Sequence, residues 1–258
     1  MKRLKVLLVA CGVVLLLGAG AAFFVMGVGS CSDCKVLDKE GFKFVYDHDI
    51  LEEEIEAIHS LLISRKPALL ADFKLDAMRK VIVRVWSDRE GYLAEQEASL
   101  GVRYPASLGY VWFTLFPSNR EIRILNQGDG VAQTALHEFV HLVTLELNLN
   151  FANNPRWLWE SIAVYKSEAR WKYADKSYLI QQRFDGLASA LNADANASGA
   201  IYEVGYTIGE YIESTWGKAA FITLVNSNGD IESLAGKPLA EVVLDWKAFV
   251  LDKYFDAK

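Results

Sequence analysis

The sequence predicts an α+β fold: a small mixed β-sheet with flanking helices, then a mostly helical C-terminal part. Three observations predict it. Short alternating or β-branched runs are confined to residues 41–125, where they interleave with helical stretches. After Gly130 the apolar residues recur at helical spacing. Ahead of both, Val6 to Gly29 carries no charge over 24 residues, enough to span a bilayer as a helix.

Lys2, Arg3 and Lys5 precede that run, and such a positive flank stays on the cytoplasmic side, so the rest of the 258-residue chain is expected to be exported. The length of the run favours an uncleaved signal anchor. A lipoprotein signal is the rival, because Val28-Gly29-Ser30-Cys31 resembles a bacterial lipobox with Cys31 acylated. Cleavage after Ala19-Gly20-Ala21 is least favoured, because it would leave an apolar tail. Residues 1–30 are therefore expected to be an anchor or signal, 31–40 a polar tether in which Cys31 and Cys34 could pair, and 41–258 one domain.

Gly41 to Tyr46 alternates as a strand does. Ile50 to Leu70 has helical spacing at Leu51, Ile55, Ile58, Leu62 and Leu69, with Glu52, Glu53 and Glu54 suiting the helix start. Pro67 is expected to bend or end it. Val81–Trp86 reads as a strand, and Ser87 or Asp88 can cap a helix over Arg89–Ser99. Gly109–Phe116 and Glu121–Leu125 read as two more strands. Leu136, Val140, Val143 and Leu147 form one stripe, which predicts a helix over Val131–Leu147. A second helix is expected from Arg156 or Trp157, with others at Lys176–Leu191, Gly205–Thr215, Lys218–Val225 and Leu239–Tyr254.

A net charge of −6 with no basic cluster beyond the N-terminus argues against a nucleic-acid partner. All three cysteines lie at or before residue 34, so none is available for catalysis in the domain. Of four histidines, His48 and His59 read as solvated surface groups. The other two stand in His137-Glu138-Phe139-Val140-His141, of the form H-E-x-x-H. Histidines four apart share one side of a helix and can hold one metal ion. The glutamate between them lies close enough to act as a base. A catalytic zinc usually takes three protein ligands. Glu160, after an eighteen-residue gap, is the candidate for the third, since the gap fits the rest of one helix, a reversal at Asn153-Asn154-Pro155 and the start of another.

H-E-x-x-H, eighteen residues, then Glu resembles the gluzincin zinc metallopeptidases, with the spacing of their aminopeptidase N-like branch. Trp157-Leu158-Trp159-Glu160-Ser161-Ile162-Ala163-Val164-Tyr165 is similar to a phrase of the smaller peptidase-MA-like domains, with Ser161 where glycine is usual. Tyr202-Glu203-Val204-Gly205-Tyr206 is similar to a later segment of the same enzymes. The resemblance covers most of residues 41–255 and is specific at 137–165 and 202–212. It implies a zincin-like domain with Zn2+ on His137, His141 and Glu160, Glu138 as general base, and Tyr202, or Tyr206 one turn on, as oxyanion donor. Glu168 and Glu210 are candidates for orienting the histidines. The G-x-M-E-N segment of the aminopeptidases is missing, so an endopeptidase is expected over an aminopeptidase. Gly109–Phe116 or Glu121–Leu125 would be the edge strand that takes an extended peptide. The expected function is that of a membrane-tethered, extracytoplasmic zinc peptidase acting on a peptide or protein substrate. The alternative is a non-catalytic, metal-containing envelope protein that binds peptides or glycans.

Overall fold

The structure, a computed structural model, describes residues 33–114, 119–128, 130–152, 155–168 and 200–254. Its sheet starts one strand earlier than the sequence reading. Lys35–Lys39, expected as tether, forms strand β1 and pairs antiparallel with β2 (Phe42–Tyr46). Lys35-Val36-Leu37-Asp38-Lys39 has no clean alternation because an edge strand needs none. Strand β3 (Val81–Trp86) runs parallel to β2. The antiparallel pair β4 (Gly109–Thr114) and β5 (Asn119–Leu125) joins through β5, which is parallel to β3. The order β1-β2-β3-β5-β4 puts β4 at an edge and β5 inside. Of the two strands offered for peptide docking, the Glu121–Leu125 option is therefore ruled out, since both its sides are already paired.

Alternation decides what each face of the sheet meets. Phe42, Phe44, Val81, Val83, Val85, Ile122 and Ile124 enter the main core. Helices α1 (Glu52–Asp72) and α3 (Val131–Leu147) close over it, with α1 contributing Ile55, Ile58, Leu62 and Leu69. Pro67 does not end α1, contrary to expectation. Its missing N–H costs one helical hydrogen bond, and burial of Leu69 and Phe73 beyond it offsets that loss. On the other face Trp86, Tyr110 and Leu125 pack with Tyr92 and Leu93 of α2 (Arg89–Leu100). Asp88 caps α2, accepting from the Gly91 N–H at 2.6 Å. Arg123 is fully buried on that face, where it donates to Glu121 and to the Tyr110 hydroxyl and meets Glu95 at 3.0 Å.

Beyond α3 the described chain continues as α4 (Arg156–Lys166), α5 (Ala200–Trp216), α6 (Ala219–Asn226), α7 (Ile231–Ala235) and α8 (Leu239–Tyr254). Helix α5 begins before Gly205, so Tyr202 lies inside it. Helix α7 is five residues long, too short to leave a periodic signal. His48 is exposed as expected, but His59 is half-buried, with its ring edge-on to Phe42 and Phe44. Residues 1–32, which hold the expected anchor or signal and Cys31, and the expected helix at Lys176–Leu191 lie outside the described residues. Among the described residues no helix is long and apolar enough to cross a membrane.

Candidate metal centre

Helix α3 is buried from Ala135 to Leu145, so both histidines of the motif project into the interior rather than into water. His137 and His141 bring their Nε2 atoms to 3.1 Å of each other. From α4, Glu160 brings Oε2 to 3.3 Å from His137 Nε2 and 3.6 Å from His141 Nε2. All three side chains are buried, and their ligand-type atoms form one group that could hold a metal ion. The triangle can be compared with a known shape. Ligands about 2.0–2.1 Å from a tetrahedral ion lie about 3.3–3.4 Å apart. The observed sides bracket that value. Two imidazole nitrogens and one carboxylate oxygen also form a donor set that suits Zn2+, though not Zn2+ alone. The residues therefore fit a bound divalent cation.

The electrostatics of the bare chain fit the same picture. Burial pushes the His141 ring down to about 4, against the pull of Glu160, so it is neutral at pH 7 and able to ligate. Burial works against ionised Glu160, but hydrogen bonds to His137 and His141 outweigh it and hold the carboxyl far below its usual range. His137 is raised: burial lowers it, and Glu160 together with the charge of Glu138 more than compensates. Burial pushes Glu138 up to about 8, opposed by His137 and assisted by Glu160. At that value the carboxyl of the bare chain is mostly protonated at pH 7, and a cation held beside it would favour the ionised form that can accept a proton.

The surroundings place these groups. Glu138 lies against the first residue of β4, where a Cβ on Gly109 would fall 2.9 Å from Glu138 Cγ and Oε1. Only glycine lets the edge strand come so close to that carboxylate. His141 is stacked on Trp159 with ring centroids 4.1 Å apart and planes 6° apart. Its Nδ1 is buried without a hydrogen-bond partner, so stacking takes the orienting role that a carboxylate usually fills. The candidates for that role lie elsewhere: Glu168 pairs with Arg65, and Glu210 with Lys253 and Tyr254.

Tyr202 is 44% exposed, with its ring centroid 6.3 Å from that of His137. Although the residue is partly exposed, packing around the hydroxyl first, and the Glu160 charge second, raise it well above the ordinary tyrosine value, which keeps it a donor. Its hydroxyl accepts from Arg156 Nη2 at 3.3 Å. Tyr206, the other option, packs edge-on to Tyr165 instead. Helix α5 reaches the site because Gly205 and Gly209 let it press against Ser161 and Tyr165 of α4. Of the predicted residues, the structure thus gathers His137, His141, Glu160, Glu138 and Tyr202, and leaves Tyr206, Glu168 and Glu210 outside. Sequence reasoning missed Gly109, Arg156 and the stacking role of Trp159. The only signal for the last two was their place in the helix that carries Glu160. No family model matches this chain, and neither does any curated protein.

Proposed function

We propose that the chain is a membrane-tethered, extracytoplasmic zinc metallopeptidase with a zincin-like domain of gluzincin type. The observation that carries the reading is the buried triangle of His137 Nε2, His141 Nε2 and Glu160 Oε2, with a buried carboxyl of raised pKa, Glu138, next to His137 in sequence. A Zn2+ ion held there would supply Lewis-acid polarisation of a scissile carbonyl. Glu138 takes a proton from the attacking water and delivers it to the leaving amine. Tyr202 donates its O–H to the charge that develops on the carbonyl oxygen. The outer side of β4, an edge among the described strands that starts at Gly109 against Glu138, pairs with the substrate backbone as an added strand. The uncharged run from Val6 to Gly29 behind a positive flank supports export and tethering.

The test pairs metal analysis of the purified protein with cleavage of a peptide library by wild type and Glu138→Gln. The expected result is one zinc per chain in both, with turnover lower by roughly 10²–10⁴ in the variant. Stoichiometric zinc without Glu138-dependent cleavage would leave a metal-containing binding protein of the envelope as the reading.

A further inference from the structure

Arg156 stands where helix energetics give it no advantage. It is the first residue of α4, where the positive end of the helix dipole opposes a cation. Its pairing with Glu160 four residues on has the basic residue N-terminal, which is the weaker order. The side chain is 32% exposed. It reaches across to α5. Nη2 donates to the Tyr202 hydroxyl at 3.3 Å and lies 3.8 Å from Glu160 Oε1, the carboxylate oxygen turned away from the histidines.

Both contacts have chemical consequences. A tyrosine hydroxyl has one proton, so accepting from Arg156 commits that proton to an acceptor elsewhere. The Tyr202 ring centroid stands 6.3 Å from that of His137, so the hydroxyl that Arg156 holds lies at the edge of the histidine–glutamate group. At Glu160 the guanidinium occupies the neighbourhood of Oε1 and leaves Oε2 to face His137 and His141. We infer that Arg156 is a positioning residue that couples the third metal ligand to the oxyanion donor: it holds Glu160 as a one-oxygen ligand and aims the Tyr202 O–H at the reacting carbonyl. The inference rests on the metallopeptidase reading above.

The experiment uses the full chain in detergent, loaded with Co2+. Its visible absorption reports coordination number, and a pool of internally quenched peptides reports kcat and KM. The proteins are wild type, Arg156→Met, Arg156→Lys, Tyr202→Phe and the Arg156→Met/Tyr202→Phe double variant. Arg156→Met is expected to lower kcat about 10- to 100-fold with KM nearly unchanged. Its cobalt band should weaken as Glu160 gains freedom to bind through both oxygens. The double variant should lose less than the product of the two single losses, because Arg156 acts in part through that hydroxyl. Arg156→Lys keeps the charge without the planar fork and should recover part of kcat. It also carries the test if the methionine variant misfolds. Losses that multiply in the double variant overturn the inference, as does an Arg156→Met protein with wild-type kcat and cobalt spectrum beside an active wild type. A wild type that takes up no cobalt overturns the metallopeptidase reading and this inference with it.

Discussion

At the scale of single residues, the least expected feature is the ring of Trp159 lying flat on His141. With His141 Nδ1 lacking a hydrogen bond, the stack is what fixes the imidazole plane. Trp159→Leu is expected to weaken zinc binding roughly tenfold or more, as loss of a ligand's supporting contact does. Competition with a chromogenic chelator, at a temperature where both proteins are folded, measures it, and unchanged affinity would remove Trp159 from the site. Gly109 gives a second prediction. A methyl group there collides with Glu138 and with Thr134 Cγ2 at 2.9 Å, so Gly109→Ala should cut turnover at least about tenfold while zinc stoichiometry holds. The clustering of His137, His141 and Glu160 was legible in the sequence because helical periodicity and one short gap set their spacing. Gly109 and Arg156 were not, because their roles arise from contacts between elements distant along the chain.

At the scale of elements, the pairing of α4 with α5 brings Tyr202 beside His137 and Arg156. Gly209 lies so close to Tyr165 that an added Cβ would overlap the tyrosine Cβ and Cγ, and at Gly205 it would come within 3.2 Å of Ser161 Cα. Gly209→Ala gains about 1 kcal/mol of helix propensity but overpacks a contact at a cost of about 1–3 kcal/mol. The expected outcome is a lower melting temperature together with reduced turnover, because Tyr202 moves with the helix. A variant more stable than wild type and equally active would contradict this account of the helix pair. The limits of α3 and α8 match the sequence reading, because long amphipathic stripes dominate their local signal. Strand β1, helix α7 and the passage of α1 through Pro67 were illegible. As an edge strand β1 needs no alternation, α7 is too short to show a period, and the third depends on tertiary burial overriding local propensity.

At the scale of the molecule, a charged knot binds α1, α4 and α5. Lys166, buried at the end of α4, donates to Asp72 of α1 at 2.9 Å and to Glu213 of α5 at 2.7 Å, and Lys218 also reaches Asp72. Burial works to raise Asp72, but Lys166 and Lys218 outweigh it and hold the carboxyl below its ordinary value of 3.8. A depressed carboxyl contributes stability that is fully present above the unfolded value and lost as pH falls through the folded one. Asp72→Asn should therefore cost about 1–3 kcal/mol in urea unfolding at pH 7. The gap to wild type should close as pH drops below 3.8, and a gap constant with pH would contradict the ionic account. The whole arrangement of sheet, helices and knot delivers three ligand atoms to one buried point, and binding there is the central claim. Calorimetric titration of Zn2+ into the chelator-stripped full chain measures it most directly. The account predicts saturation at one zinc per chain, abolished in His137→Ala and Glu160→Ala. Absence of saturable binding, or full stoichiometry retained in both variants, would contradict it.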